Sequence, residues 1–267
     1  REYRNLAQSI LRRLREQMDV NVHPLFRQRS IKNKVYIMVT SDRGLAGAYN
    51  SNVFRRTTAL LREDVEAGVS SRFIVIGKRG AKFLARLEGV EIIAAYEHFS
   101  EQPTANDIRP MLETVQKLYT DEAIDAVDVI YTDYKSSVSQ EVTVQRLLPA
   151  AFKGSDETAD PDDEYAKKPS KFARLYGAQS ESYETVFEPS ASAVLDMAAE
   201  RFIEVQLWQA ELESKASEFS MSMMAMKNAS DNASEIIDDL TLAFNTARQA
   251  AITQELAEIT GGAEAIK

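Results

Sequence analysis

Residues 190–260 form a stretch without glycine or proline, the two strongest interrupters of a helix. Pro189 and Ser190 supply a start signal, and Gly261–Gly262 supply the expected end. At about 1.5 Å per residue, roughly 70 residues make a rod about 105 Å long, whereas the mean globular helix has about 11 or 12 residues. We therefore predict one long helical unit over 189–267 that projects from any compact domain of this chain.

The seam of this helix steps by alternating fours and threes, the spacing of a left-handed coiled coil. Serine and alanine at several seam positions allow close approach of a second helix but bury little area, whereas a dimeric zipper prefers leucine and isoleucine. Two interpretations stay open: a structural coiled coil that self-associates, or a rod that sits inside a sleeve formed by a partner. The seam residues are Phe219, Met223, Met226, Ser230, Ala233, Ile237, Leu240, Phe244, Ala247 and Ala251.

The amino-terminal segment, residues 1–24, is the predicted mate of this rod. Pro24 ends its helix, because proline lacks an N–H and biases the preceding residue away from helical geometry. Its basic residues complement the acid-rich carboxy-terminal helix, as suits an antiparallel pair. The segment begins at Arg1 without a cap or a Met, and we expect it to be truncated. Its apolar residues repeat the spacing of the seam: Tyr3, Ala7, Ile10, Leu14 and Met18.

The region between the two helices, residues 33–188, alternates strand-like and helix-like segments. Its fold class is predicted as α/β: a three-layer, Rossmann-like domain with a mixed, mostly parallel sheet, inserted between helices that form an antiparallel coiled coil. The polar, acidic segment 153–170 is predicted to be a mobile loop, and it lacks the central glycine of a calcium loop. Strands are predicted at 35–39, 73–76, 90–93, 127–132 and 141–148, and helices at 52–66, 80–87 and 106–119.

A glycine-containing turn, Thr40–Asn50, directly follows the first predicted strand. A turn of this kind can cradle a phosphate, yet this one has neither the G-x-G-x-x-G nor the P-loop pattern. The turn Gly77–Gly80 carries positive charge and is equally unspecific. Two functions stay open: a nucleotide-binding enzyme, or a tight turn that presents Asp42 and Arg43 to a partner protein. Saturation binding of ATP or NAD would separate them.

Composition excludes several chemistries. The chain has no cysteine, which excludes thiolate metal sites and cysteine nucleophiles. It has only two histidines, His23 and His98, which leaves few residues from which a Ser-His-Asp triad could be built. The net charge of −9 argues against nucleic acid as a partner, because phosphate neutralisation needs a basic surface. No apolar run approaches the roughly 18 residues of a membrane span, so membrane association is expected only through partners. We expect no catalytic, cofactor or metal site.

Three stretches carry distinctive motifs. They read Thr-Ser-Asp-Arg-Gly-Leu-Ala-Gly at 40–47, Met-Lys-Asn-Ala-Ser-Asp-Asn-Ala at 226–233, and Ala-Arg-Gln-Ala-Ala-Ile-Thr-Gln-Glu-Leu-Ala-Glu-Ile at 247–259, followed by Gly-Gly-Ala at 261–263. Together they resemble the gamma subunit of F-type ATP synthases over the whole chain. The family's first few dozen residues and the cysteine-bearing insert of chloroplast versions are not present. The resemblance implies a non-catalytic central-stalk rotor subunit of a proton-translocating enzyme, which transmits torque for rotary ATP synthesis and hydrolysis.

The resemblance also implies partners: an alpha3beta3 hexamer, an epsilon subunit and a membrane ring of c subunits, with one copy of this chain per complex. It implies a peripheral position at the cytoplasmic face of a bacterial plasma membrane, with an organellar equivalent left open. By motif match, the tip contacts with beta-subunit loops are Arg248, Gln249, Thr253 and Glu255. The contacts expected near the beta lever region are Asp42, Arg43, Gly44 and Gly47, and those expected near the c ring are Tyr183 and Glu188.

Overall fold

The computed structural model describes residues 19, 23–100, 102–150 and 188–265. Almost all of the predicted amino-terminal helix lies outside the described residues, as do the predicted loop at 153–170 and Tyr183. The described elements begin with a short 3-10 helix at Pro24–Phe26. They continue with β1 (Asn33–Val39), α1 (Tyr49–Glu66), β2 (Ser70–Ile76), α2 (Lys78–Leu84), β3 (Glu91–Tyr96), α3 (Ala105–Thr120), β4 (Ala126–Tyr134), β5 (Gln140–Leu148) and α4 (Ala191–Ala265).

The five strands form one mixed sheet in the order β3-β2-β1-β4-β5. β1 lies at its centre, where Ile37 pairs in parallel with Ile74 of β2 and with Val129 of β4. β3 is also parallel, whereas β5 pairs antiparallel with β4. The predicted mixed, mostly parallel sheet is confirmed. The strand order reverses direction between β1 and β4, and the carboxyl ends of these two strands mark the switch point of the topology.

Helices cover both faces of the sheet, so the predicted three layers are present. Side chains alternate along β1 because successive residues of a strand point to opposite faces. Val35, Ile37 and Val39 belong to the core cluster that α3 and the first part of α4 complete. Tyr36 and Met38 belong to the cluster that α1 and α2 complete.

α4 is a single helix of 75 residues that belongs to the domain at one end and leaves it at the other. It begins where predicted, with the Ser190 hydroxyl accepting a hydrogen bond from the Ala193 N–H at 3.2 Å. From 226 to 262 every side chain except Asn245 is exposed. The side chains that bury it against the sheet are Leu195, Ala199, Phe202, Ile203, Leu207 and Ala210. The long helix is thus confirmed, and its first turns are part of the core of the α/β domain.

The predicted end of the helix at Gly261–Gly262 is wrong. α4 continues through both glycines to Ala265. Neither glycine has the positive φ of a helix-terminating cap, and a Cβ added to either would meet no other part of the structure within 4 Å. A glycine inside a helix costs only about 1 kcal/mol relative to alanine, which lowers helix stability without ending the helix.

Candidate partner-binding surfaces

The turn Thr40–Asn50 lies at the carboxyl end of β1, in the middle of the sheet. The Thr40 hydroxyl donates to the Ile76 carbonyl at 2.8 Å and accepts from the Gly80 N–H at 3.0 Å. On the other side, Asn50 accepts from the Ser41 N–H at 3.1 Å and donates to the Ser41 hydroxyl at 2.7 Å. The turn is therefore fixed to β2, to α2 and to the first turn of α1.

The Asp42 carboxylate is engaged within the chain. It accepts backbone N–H groups from Lys78 at 2.9 Å, from His98 at 3.0 Å and from Phe99 at 3.1 Å. Lys78 opens α2, and His98 and Phe99 follow β3, so one carboxylate joins three segments at this edge of the sheet. The side chain predicted to face the beta subunit therefore holds the turn in shape.

The other predicted residues of the turn lie at its surface. Arg43 and Gly47 are exposed, and Gly44 is half-buried beneath the Arg79 side chain. Gly47 has a φ of +53°, and a Cβ added there would lie 3.6 Å from the Met221 carbonyl oxygen of α4. Gly47 is thus the point where the turn meets the rod, and glycine suits it because other residues rarely adopt positive φ.

Sequence reasoning missed Leu45, the one apolar side chain at the tip of this turn. Leu45 is 78% exposed and has a φ of +64°. Non-glycine residues with positive φ are uncommon, and Leu45 combines such a φ with an exposed apolar side chain, which makes it a candidate contact rather than a core residue. The sequence signal that could have identified Leu45 is its position in the motif, between Gly44 and Ala46-Gly47.

α4 crosses the carboxyl ends of β1 and β4, at the switch point of the sheet. There the Ser214 hydroxyl lies 2.6 Å from the Tyr49 hydroxyl and 3.4 Å from the Thr132 N–H, which donates to it. One turn later the Ser217 hydroxyl donates to the Thr132 carbonyl at 3.1 Å. In open α/β sheets, ligands bind in the crevice at this point. In this chain the crevice holds the side chains of α4.

Glu211 lies at the same crossing and is fully buried. Both of its carboxylate oxygens are buried without a hydrogen-bond partner in the described structure. Burial raises the pKa of this carboxyl to about 7, opposed by the Lys215 ammonium and reinforced by Glu218 and Asp42. Lys215 is itself paired with Glu218 at 3.1 Å. Burial also raises the pKa of the Tyr49 hydroxyl well above its ordinary value.

The four predicted tip residues lie on the exposed part of α4. Arg248, Gln249, Thr253 and Glu255 are all exposed. The Thr253 hydroxyl donates to the Gln249 carbonyl at 2.8 Å, which shows that these two residues stack on one face of the helix. Thr253 is about 50 Å from Ser220, where burial ends, since helical residues rise about 1.5 Å each. The tip and the Asp42 turn are therefore two separate surfaces.

The third predicted surface is only partly described. Glu188 is exposed and lies three residues before α4 begins. Within the described ranges, no group of three or more His, Asp or Glu side chains is placed to hold a metal ion. A search of the same residues finds no helix with the length and apolar character needed to cross a membrane.

Comparisons with known sequences all match this chain to a single protein family. A family profile described as ATP synthase matches residues 1–266. The ATP synthase gamma chain of Legionella pneumophila (strain Paris) is 36% identical over 264 residues, which are 99% of this chain and 85% of that protein. The ATP synthase gamma chain of Moorella thermoacetica is 36% identical over 267 residues, covering 100% of this chain and 85% of that protein.

Two solved structures share the fold at low sequence identity. A chain of the central stalk and c-ring structure of the Tetrahymena thermophila mitochondrial ATP synthase aligns with a TM-score of 0.55 at 20% identity, covering 86% of this chain and 98% of that one. A chain of the rotor of the Euglena gracilis mitochondrial ATP synthase aligns with a TM-score of 0.58 at 14% identity, covering 94% of each chain. The long helix on an α/β domain is thus an architecture found in rotor assemblies.

Proposed function

Because the chain belongs to the ATP synthase gamma-chain family, and is a central-stalk rotor subunit of an F-type ATP synthase, we propose that it carries torque without catalysing a reaction itself. One copy turns inside an alpha3beta3 hexamer, and its α/β domain forms a foot that binds the epsilon subunit and the proton-driven ring of c subunits. The complex then holds this chain at the cytoplasmic face of a bacterial plasma membrane.

The observation that carries this proposal is the change in burial along α4, from a buried base to an exposed distal part. One face of α4 from Leu195 to Ser220 is buried against the α/β domain, whereas the side chains from 226 to 262 are almost all exposed. Large apolar side chains with exposures near 60%, such as Ile237 at 62% and Phe244 at 65%, lie on that exposed part. Exposed apolar patches mark interaction sites. The predicted mate of the seam, residues 1–24, is shorter than this part of the rod, so the remaining apolar side chains favour partner chains around it.

Polar contacts suit the base of α4 to transmit rotation. Trp208 donates its indole N–H to the Pro103 carbonyl at 2.9 Å, and Ser220 donates to the Ser137 carbonyl at 2.9 Å. Together with the contacts of Ser214 and Ser217, they tie α4 to the loop before α3, to β4 and to the β4–β5 turn. Hydrogen bonds of fixed direction on several sides resist twisting of the helix against the sheet.

Two features support the absence of catalysis in this chain. The side chains of α4 fill the crevice where a sheet of this topology would bind a nucleotide. Two amides of the Gly77–Gly80 turn are also engaged: the Gly80 N–H donates to Thr40, and the Lys78 N–H donates to Asp42. A phosphate cradle needs such amides free to point at the ligand.

We propose three partner contacts for the described surfaces. Arg248, Gln249, Thr253 and Glu255 contact loops of the beta subunits at the tip. The turn from Asp42 to Gly47 contacts the beta lever region through Arg43, Gly44 and Leu45, held in shape by Asp42. Glu188, together with Tyr183, lies near the c ring.

Co-expression of the full chain with the alpha and beta subunits tests the proposal. We expect one copy per hexamer by mass measurement, and rotation-coupled ATPase of the assembled complex. A hexamer whose beta subunits are catalytically inactive is the control: adding this chain should restore no turnover. ATP hydrolysis by the purified chain, or by that control complex, would contradict the non-catalytic role. A chain that forms a symmetric homodimer and does not enter the hexamer would contradict the rotor role in this complex.

A further inference from the structure

A row of buried polar side chains runs along the face of α4 that crosses the sheet. Its members are spaced by three residues, so that each is a neighbour of the next on the helix surface: Glu211, Ser214, Ser217 and Ser220. The three serines bond to the start of α1, to β4 and to the β4–β5 turn. Glu211 is different, because both of its carboxylate oxygens are buried without a hydrogen-bond partner in the described structure. Buried polar groups are normally hydrogen-bonded, so this exception needs an explanation.

Lys215 lies within reach of two carboxylates. It follows Glu211 by four residues and precedes Glu218 by three, and both spacings put side chains on one face of a helix. The Lys215 ammonium pairs with Glu218 at 3.1 Å, and the two side chains are only 10% and 14% exposed. It makes no hydrogen bond with Glu211, whose oxygens have no partner in the described residues. One nearly buried cation therefore lies close to two acidic side chains and serves one of them.

Three elements bring charged or titratable groups to Glu211. α4 contributes Lys215 and Glu218. The turn after β1 contributes Asp42, whose carboxylate accepts three backbone N–H groups, and the start of α1 contributes the Tyr49 hydroxyl. Burial raises the pKa of Tyr49 well above its ordinary value, so this hydroxyl stays neutral. If Glu211 keeps its proton, Lys215 and Glu218 balance each other; if it ionises, one ammonium is left among three carboxylates.

We propose that Glu211 and Lys215 form a proton-operated latch between α4 and the α/β domain. With its proton, Glu211 is a neutral member of the row, and Lys215 stays paired with Glu218. When the proton leaves for solvent, Lys215 cannot pair with both carboxylates, and one negative charge remains unpaired inside the joint. A buried unpaired charge is far more costly than a buried neutral group, so the joint opens to admit water. Burial raises the pKa of Glu211 to about 7, so both positions of the latch are accessible near neutral pH.

The point at which the joint opens is the end of β4. The Thr132 backbone bonds to two serines of the row, with its N–H donating to Ser214 and its carbonyl accepting from Ser217. The Thr132 hydroxyl, however, is buried without a hydrogen-bond partner in the described structure. Water that enters beside an ionised Glu211 can also solvate this hydroxyl. Opening therefore begins on the polar row and leaves the apolar packing of the sheet in place.

Amide hydrogen exchange of the full chain at pH 6 and pH 8.5, corrected for intrinsic exchange rates, tests the latch. Protection of the α4 amides from 211 to 220 should fall about tenfold between these pH values, the factor expected for a carboxyl with a pKa of 4.5 when exposed and about 7 when buried. At pH 8.5 these amides should also exchange at least about tenfold faster than those of β1, because opening precedes unfolding. An unchanged protection, or equal exchange of both segments, would overturn the proposal.

Variants separate a shared lysine from burial alone. Glu211→Gln cannot ionise and should lose the pH dependence of exchange from 211 to 220. Glu218→Gln leaves Lys215 free to pair with an ionised Glu211, so the tenfold fall should shrink to about threefold or less. Glu235→Gln makes the same change on an exposed part of α4 and should keep the full response. A Glu218→Gln variant with the full tenfold fall would show that Lys215 is not shared, and the latch would be refuted.

The latch is a property of this chain alone and goes beyond the proposed function, so the two can fail separately. Exchange of the free chain involves neither the alpha nor the beta subunits. If the chain enters the hexamer but its exchange from 211 to 220 is the same at both pH values, the latch alone is refuted. If exchange follows the pattern expected for wild type and the three variants while the chain does not enter the hexamer, the latch stands and the proposed function alone is refuted.

Discussion

Replacing the buried carboxylate of Glu211 by a neutral amide should stabilise the chain at alkaline pH and have little effect at acidic pH. Burial raises the pKa of Glu211 to about 7 from the ordinary 4.5. A raised pKa means that the folded state binds the proton more tightly than the unfolded state. The stability that follows is fully present below the unfolded pKa of 4.5 and is lost as pH rises through the folded pKa of about 7.

The expected size follows from that difference. A pKa difference of about 2.5 units corresponds to about 3 kcal/mol at about 1.4 kcal/mol per unit, all of which is lost above pH 8. Glu211→Gln cannot ionise, so it should be more stable than wild type by up to about 3 kcal/mol at pH 8.5. For a protein of this size the midpoint of thermal unfolding would rise by roughly 6–12 °C.

Trp208 supplies the assay. It is the single tryptophan of the chain, and its indole N–H donates to the Pro103 carbonyl, so its fluorescence reports detachment of α4 from the domain. Unfolding by heat and by urea is followed at pH 5 and pH 8.5. Glu235→Gln makes the same chemical change on an exposed part of the same helix and should shift neither midpoint. Equal unfolding midpoints of wild type and Glu211→Gln at pH 8.5 would refute the reasoning, as would a gain that is the same at both pH values.

Three further predictions concern the turn, the rod and the tip. Gly47→Val should unfold or displace the turn, because valine disfavours a φ of +53° and would meet Met221. Gly68→Val is the control for backbone strain alone, because Gly68 has a φ of +69° and a Cβ there would meet nothing within 4 Å. An unchanged unfolding midpoint for Gly47→Val would contradict this prediction. Amide hydrogen exchange of the free monomer should be fast from 226 to 260 and slow where α4 is buried, because exposed helix opens locally; uniformly slow exchange in both parts would speak against it. Arg248→Leu and Gln249→Leu should lower the ATPase of complexes that still assemble, by the 1–3 kcal/mol scale of a charge-assisted hydrogen bond, measured as about a five- to hundredfold loss of rate; unchanged ATPase and proton pumping would make the tip contact dispensable.

The strands and the mixed sheet could be predicted because their signals are local. Short apolar runs such as 35–39 and 73–76, separated by helical patterns, indicate buried strands of a parallel sheet. The partner of each Asp42 oxygen could not be predicted, because the three N–H groups come from two distant turns. For the same reason, the sequence did not reveal whether the Asp42 carboxylate contacts a partner or joins three loops of its own chain.

The upstream part of the rod shows a second limit. Val205, Trp208 and Leu212 lie upstream of the seam and continue its spacing, which predicts that they share its face of the helix. In the structure Leu212 is 40% exposed, while its neighbour Glu211 is fully buried. The sheet and the polar crossing decide which face of α4 is buried there, and neither is encoded in the periodicity of the helix alone. A glutamate inside a helix also gives no local sign that it will be buried without a partner.

The crossing of α4 over the switch point bears both on the proposed non-catalytic role and on how the rod is attached to the domain. A sheet with the order β3-β2-β1-β4-β5 leaves a crevice at the carboxyl ends of β1 and β4, and α4 lies there against β4 and the start of α1. Ser214 and Ser217 use that position to bond with Tyr49 on one side and with Thr132 on the other. A rod attached to one face alone would be held mainly by apolar packing, which has no preferred direction and resists sliding poorly. The place where a related fold would bind its ligand therefore serves here as the anchor of the shaft, and a substitution that opened the crevice to a ligand would at the same time loosen the rod.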